Sequence, residues 1–243
     1  MFYVGLDDTD MPDTPGTNQL ARHVVQRLAG RWRGRLITRH QLLEDPRVPC
    51  TRKNGCVAVS FDPLDAADAL AGGDELLAGA IAELMAPWCP VGSDPGLCVC
   101  VGEPPAPVVA FGLECKRELV DQPRARGLAA QHGILLRGLG GTQDGVIGAL
   151  AAIGLAASRD DGRVIYNGAA ERDHFDVSGD HAVATLGVFG VDEVRRLDNQ
   201  RGVDDGVVAL GKRLRPNYRA GKIVLYVLPS QQEGIDWDAQ RVL

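Results

Sequence analysis

Phe2-Tyr3-Val4-Gly5-Leu6-Asp7-Asp8-Thr9-Asp10 opens the chain, and its reading decides what the remainder can build. Residues 2–6 form an apolar run of the length expected for a buried strand. Three carboxylates within four positions follow directly. Like charges that close raise one another's pKa unless a cation or hydrogen bonds offset the repulsion. Mg2+ prefers hard oxygen ligands, takes one or two carboxylates, and completes its octahedron with water and phosphate oxygens. A strand end is a rigid platform for such a site, since ligands commonly bind beyond the carboxyl ends of strands. Asp7, Asp8 and Asp10 are therefore the expected catalytic and metal-holding residues, with Thr9 and Gly16 as neighbouring contacts for the bound phosphate group. The alternative is an Asp-rich turn that only caps the next helix. The position of the cluster, after an apolar strand and before Gly16-Thr17, favours the metal site.

Outward from this start, Met11 to Gly16 is turn-rich, and Thr17 can cap a helix over 18–28 with Leu20, Val24, Val25 and Leu28 on one face. Strands are predicted over 35–38, 55–61 and 97–101, with a loop over 41–54. Helices are predicted over 63–85, within 105–130, and over 146–157, where Ile147, Leu150, Ala151 and Ile153 suit one buried face. The remainder reads as strands over 164–166, 181–188 and 223–228, with a helix over 191–198. The expected class is α/β (mixed α+β), divided near Ser158 into domains 1–157 and 158–243.

The chain has 243 residues, 45% hydrophobic and 24% charged, which is ordinary globular composition. Its formal net charge of -6 argues against a protein held to nucleic acid by overall basicity. The arginines at 22, 27, 31, 33, 35 and 39 read as a solvated face and its following strand. Six cysteines show no C-x-x-C spacing, and their apolar settings suit small buried residues in a reducing compartment. No leader-like segment precedes Asp7, and the apolar run 146–157 is too short to span a bilayer. A soluble, cytoplasmic protein without membrane partners is expected.

Neither G-x-x-x-x-G-K-[ST] nor G-x-G-x-x-G occurs. Gly138 to Gly145 is nevertheless a glycine-rich turn leading into a helix, where backbone N–H groups and the helix dipole can hold phosphate. Gly140, Gly141, Thr142 and Gly145 are its candidate contacts; a plain chain reversal capped by Asp144 is the alternative. Arg52 and Lys53, next to Asn54, can clamp phosphates, or form an exposed basic hairpin loop. Arg213, Arg215, Asn217, Tyr218, Arg219 and Lys222 make a second basic stretch, suited to a phosphate or to a solvated edge. His174 and His181 flank Asp176 and Asp180 in a spacing that fits no metal set, and Asp173, Asp176 and Asp180 are candidates by charge for a cationic amine.

Several segments together resemble one family, the archaeal ATP-dependent synthetases that make agmatidine in tRNA-isoleucine (TiaS) and their bacterial relatives. Val4-Gly5-Leu6-Asp7-Asp8-Thr9-Asp10 is similar to the family's G-I-D-D-T-D signature, and Gly16-Thr17 with Leu20-Ala21 to its threonine-bearing segment. Pro46 to Gly55, Ser93-Asp94-Pro95-Gly96 and Gly145 to Gly154 are similar to three further family motifs, in the same order. The resemblance thins out after Gly154. It implies a kinase-like αβ module without a P-loop, joined to a ferredoxin-like second module. It also implies ATP and Mg2+ as cofactors, with Asp7, Asp8 and Asp10 holding metal and phosphates. Thr17 stands at the family's phosphorylatable threonine, and the 138–145 turn near the nucleotide. In the family a wobble cytidine is activated by phosphoryl transfer and attacked by agmatine. Members that modify tRNA carry an OB-fold and a zinc ribbon after these modules, whereas this chain ends at Leu243 with no zinc spacing. The expected function is an ATP- and Mg-dependent transferase or ligase that activates a substrate oxygen. Its partners are a nucleotide, a small-molecule or amine acceptor, and tRNA if another protein delivers it. A noncatalytic nucleotide-binding or regulatory protein is the alternative.

Overall fold

The computed structural model describes every residue except Pro49, Thr51, Arg52, Leu70, Ala71, His174, Phe175 and Leu243. It divides into two compact units, Met1–Ser158 and Arg159–Leu243.

The first unit begins with the strand β1 (Phe2–Asp7), followed by α1 (Thr17–Leu28), β2 (Trp32–Gln41), β3 (Gly55–Pro63), α2 (Gly73–Met85) and β4 (Gly96–Val101). Helices α3 (Ala106–Glu114) and α4 (Gln122–Gln131), strand β5 (Leu135–Gly138) and helix α5 (Gly145–Ala157) complete it. The sheet runs β5-β4-β1-β3-β2, every neighbour antiparallel. The order β4-β1-β3-β2 within a βαββαβ sequence is the split βαβ, ferredoxin-like arrangement. That arrangement was expected of the second module and lies in the first.

Alternation along the strands divides the sheet into two unlike faces. Phe2, Val4 and Leu6 stand opposite Phe61, Val59 and Val57 on one side and opposite Val101, Val99 and Leu97 on the other. This bulky face packs against α1 and α2. The opposite face is smaller: Ala58, Cys98 and Cys100, with Tyr3, share a core with Val108 and Phe111 of α3, Ala125 and Ala129 of α4, and residues 149–153 and 155 of α5. Small residues on both partners let α5 lie very close to the sheet. A Cβ on Gly5 would stand 1.8 Å from the Ala149 carbonyl oxygen, so only glycine fits there. Helix α5 is accordingly buried on nearly all sides rather than along one stripe.

The second unit holds β6 (Arg163–Asn167), β7 (Asp180–Ala182), β8 (Glu193–Arg196), β9 (Val207–Ala209), β10 (Asn217–Arg219), β11 (Lys222–Pro229) and β12 (Trp237–Ala239). Strand β11 pairs parallel with β8 and antiparallel with β10 and β12, and β12 leads on through β9 to β7. Its core gathers Leu186, Val194, Val208, Leu214, Leu225 and Val227. No α-helix occurs among its described residues; the helix expected over 191–198 is the strand β8. Arg195 binds Glu193 and Arg196 binds Asp198, pairings two residues apart that suit the period of a strand. The expected strand over 181–188 is mostly a 3₁₀ helix, Val183–Phe189, stopped by Gly190 at φ +76°.

Two further expectations need adjusting. The stretch 63–85 is not one helix: β3 runs to Pro63, a 3₁₀ turn covers Ala66–Ala69, and Gly72 at φ +90° precedes α2. Thr17 is the first residue of α1 and not its cap; Gly16 occupies the cap position without a side-chain bond. The cysteines are free, with Cys56, Cys98, Cys100 and Cys115 buried, Cys89 partly so and Cys50 exposed. Among the described residues no helix is long and apolar enough to cross a membrane.

Candidate functional site

Strand β1 delivers the acidic cluster to the point where the sheet meets the start of α5. Because β4 runs antiparallel to β1, Asp7 pairs with Gly96, and Asp94 just ahead of Gly96 arrives beside the cluster. A Cβ on Gly148 of α5 would stand 1.8 Å from Oδ2 of Asp7, so the missing side chain is the space the Asp7 carboxylate occupies. Burial, then the charge of Asp8, pushes the Asp7 carboxyl up to about 8, against a smaller downward pull from Arg39. Asp8 is pushed up to about 6, first by burial and then by Asp94, Asp10 and Asp144. Its backbone sits at φ +52°, a left-handed conformation that a non-glycine residue adopts at a cost of roughly 1–2 kcal/mol.

Thr9 is fully buried, and its hydroxyl donates to Oγ1 of Thr17 at 3.0 Å. Thr17 in turn donates to Oδ1 of Asp10 at 3.2 Å. This relay explains why Thr17 does not cap its helix: its hydroxyl points back to the end of β1. Gly16 lies against the same carboxylate, with a Cβ there falling 3.8 Å from Oδ2 of Asp10. The segment carrying Cys89 flanks the cluster as well: burial, then Asp10 and Asp8, lifts the Cys89 thiol to about 11.

The glycine-rich turn joins the cluster through Asp94. The Thr142 amide donates to Oδ1 of Asp94 at 2.5 Å, and the Gly145 amide to its carbonyl at 3.0 Å. Gly140 packs on Pro95, and Gly141 leaves room for the Asp94 carboxylate. Gln122 ties the turn to α4 by donating to the Thr142 carbonyl and to Oδ1 of Asp144. Asp144 therefore braces the turn and makes no side-chain cap bond. The amides of Val146 and Ile147 bond within the turn, to Gln143 and Asp144. Thr142, Gly145, Val146 and Ile147 thus already have partners, which narrows the phosphate-binding role expected of this backbone.

Asp7, Asp8, Thr9, Asp10, Gly16 and Thr17 are brought together, with Gly140, Gly141, Thr142 and Gly145 reaching them through Asp94. Lys53 and Asn54 are tied elsewhere: the Lys53 ammonium pairs with Glu44 at 3.3 Å, and the Asn54 amide donates to the Leu43 carbonyl. The reading of Arg52 falls outside the described residues. Asp94 and Gly148 are the residues that sequence reasoning passed over as parts of the site. Their signal is topological, since Asp94 precedes a strand that runs back beside β1. Among the described residues no three His, Cys, Asp or Glu side chains group closely enough to hold a metal ion by themselves. One or two carboxylates of this cluster, completed by phosphate and water, form the donor set that Mg2+ commonly uses. The mutual repulsion that raises Asp8 is what a bound cation would relieve.

Comparison with known proteins gives this geometry a context. No family model matches the chain. Over 158 residues it is 33% identical to TiaS of Pyrococcus horikoshii, a 2-agmatinylcytidine synthetase named for an isoleucine tRNA, covering 63% of this chain and 35% of that protein. The crystal structure of TiaS in complex with that kind of tRNA and ATP superposes on 63% of the chain and 36% of its own, with TM-score 0.54 at 22% identity. That of a tRNA fluorescent labeling enzyme gives TM-score 0.54 at 22% identity, over 63% of this chain and 35% of its own. The matched part thus spans about a third of the relatives' length. Over that part the chain is similar to TiaS, and its fold is the fold of those structures.

Proposed function

We propose that this TiaS-like chain is a cytoplasmic, ATP- and Mg2+-dependent ligase that activates an oxygen of its substrate by phosphoryl transfer, for displacement by an amine. The observation that carries the reading is the relay Thr9–Thr17–Asp10 beside the raised carboxyls of Asp7 and Asp8. Mg-ATP, when bound, supplies the transferable phosphoryl group and neutralises its developing charge. Asp8 and Asp10 are the carboxylates assigned to the cation, because Oδ2 of Asp7 occupies the space beside Gly148 of α5. Asp7, pressed against α5, supports them from beneath.

The Thr17 hydroxyl lies within hydrogen-bond reach of Asp10, the geometry in which a carboxylate accepts the proton of an attacking hydroxyl. Thr9 fixes that hydroxyl by donating to its oxygen, which leaves the Thr17 proton to point at Asp10. A phosphoryl group received at Thr17 would sit at the first turn of α1, where the helix dipole favours added negative charge. The TiaS relative carries agmatinylcytidine synthesis on an isoleucine tRNA in its name, and a tRNA cytidine with agmatine as amine is the substrate pair proposed here.

The test incubates the full chain with Mg-ATP, agmatine and an unmodified tRNA that carries a wobble cytidine. Released nucleotides are identified by chromatography, and the tRNA nucleosides and the protein by mass spectrometry. An agmatine adduct on cytidine, with phosphate detected on wild type but not on Thr17→Val, is the expected result. ATP bound without turnover under any acceptor contradicts the ligase reading and supports a nucleotide-binding regulator.

A further inference from the structure

The basic stretch that the acidic cluster does not use has a structure of its own in the second unit. Lys212, Arg213 and Arg215 lie on the segment between β9 and β10, and Arg241 follows β12; together they line one cavity of about 160 Å³. Leu225 and Ala239 are among its other walls, and no carboxylate lines it. The segment is pinned at two points, where the Leu210 amide donates to the Gly179 carbonyl at 2.9 Å and the Leu214 amide to the Val177 carbonyl at 2.7 Å. Leu214 is buried, and Arg213 and Arg215 on either side of it are each partly exposed. The far wall is fixed too, by the Gln240 amide on the Tyr226 carbonyl at 2.8 Å.

Several cations elsewhere in the chain are compensated by a nearby carboxylate. Arg31 binds Asp68, Arg47 binds Asp45, Arg195 binds Glu193 and Arg196 binds Asp198. Around the cavity Arg213 has Asp176 at 3.8 Å, a side chain 84% exposed. Among the described residues, Lys212, Arg215 and Arg241 have no hydrogen-bond or ion-pair partner. Burial, then the charges of Arg241 and Arg213, lowers the pKa of Arg215, so the cations around the cavity repel one another. An acidic protein, at net charge -6, does not gather such a group through general basicity.

We propose that this cavity is an anion site that takes a phosphate group. Guanidinium forks match phosphate oxygens two at a time, and a phosphate would supply the negative charge that the lining lacks. The volume far exceeds the roughly 10–15 Å³ that a single water requires, so the group that carries the phosphate has room as well. A phosphorylated small molecule and the backbone of a single-stranded RNA present the same chemistry here. The site stands apart from the acidic cluster in sequence, and the proposal holds whether or not that cluster uses ATP.

The test titrates the 15N-labelled full chain with inorganic phosphate, and separately with a short single-stranded RNA that has no terminal phosphate, while amide shifts are followed by NMR. Saturable shifts at residues 211–215 and 240–241 are expected, weakened about tenfold in Arg215→Ala, the loss of one charged hydrogen-bonding partner. Arg241→Ala, at an exposed position, reads the same loss should Arg215→Ala fail to fold. If RNA shifts these amides at lower concentration than phosphate, the ligand is a nucleic-acid backbone; if phosphate alone shifts them, it is a small phosphorylated molecule. No saturable shift with either probe, or unchanged affinity in both variants, overturns the proposal.

Discussion

A carboxylate pressed beneath a helix start has a consequence for stability that can be read with pH. In the unfolded chain Asp7 ionises near 3.8, whereas in the fold its carboxyl is held up to about 8. As pH rises between those values the unfolded chain loses its proton first, so stability falls with rising pH across that window. The contribution is fully present below about pH 4 and lost as pH passes about 8. Asp7→Asn keeps the shape of the side chain and removes the titration. Without nucleotide, melting temperatures of wild type should drop more steeply than those of Asp7→Asn between about pH 5 and 8, at roughly 2–4 °C per kcal/mol for a chain of this size. Asp8, raised to about 6, acts in the same direction and leaves a smaller slope in the variant. Parallel curves for the two proteins would mean that Asp7 is already ionised in the fold. At this scale the sequence was informative about identity and less so about roles. The run Asp7-Asp8-Thr9-Asp10 pointed to a candidate site, but which carboxylate lies against α5 depends on Gly148, far along the chain.

Among the elements, α5 sets the geometry. Its glycines are contact points, as is the Gly5 it packs against, and they differ in what they touch. A Cβ on Gly5 would meet the backbone of Ala149, which cannot yield without moving the helix. A Cβ on Gly148 would meet the carboxylate of Asp7, a side chain able to turn aside. Overpacking of this kind costs about 1–3 kcal/mol, and alanine in a helix recovers up to ~1 kcal/mol over glycine. Gly5→Ala should therefore destabilise strongly in urea unfolding. Gly148→Ala should lose little stability and yet abolish ATP turnover, because it displaces Asp7. Equal loss of stability in both variants would show that Gly148 acts only in packing. The sequence marked α5 as a helix through its apolar run, but not its burial on every side. Periodicity reports one face of a helix, and a helix lodged between a sheet and two other helices has no face left for water.

For the whole molecule, the mixed α/β class was legible because strands and helices alternate through the first 157 residues. The ferredoxin-like order was not placed correctly. It depends on which strands pair, and pairings such as Phe2 with Phe61 and Val101 are invisible to local pattern. The second unit was misread where short segments mix small and charged residues, as over 191–198, where i,i+3 spacing of Val191, Val194 and Leu197 imitates a helix. Resemblance was most informative where the chain meets its relatives, and beyond that the ferredoxin-like module it implied is not what the second unit forms. If the acidic end of β1 makes an ATP-using enzyme, Asp8 is its most direct probe. It is partly exposed, near Asp10, Asp94 and Asp144, and held in a left-handed backbone conformation. The measurement is nucleotide release from Mg-ATP, with products resolved by chromatography, for wild type and Asp8→Asn at matched folding. Metal-dependent release of ADP, or of AMP and pyrophosphate, that falls by about 10²-fold or more in the variant is expected, the size of loss that follows removal of a group stabilising transition-state charge. Equal release by both proteins, or no ATP binding by either, would contradict the claim and leave the cluster as a turn that ends a strand.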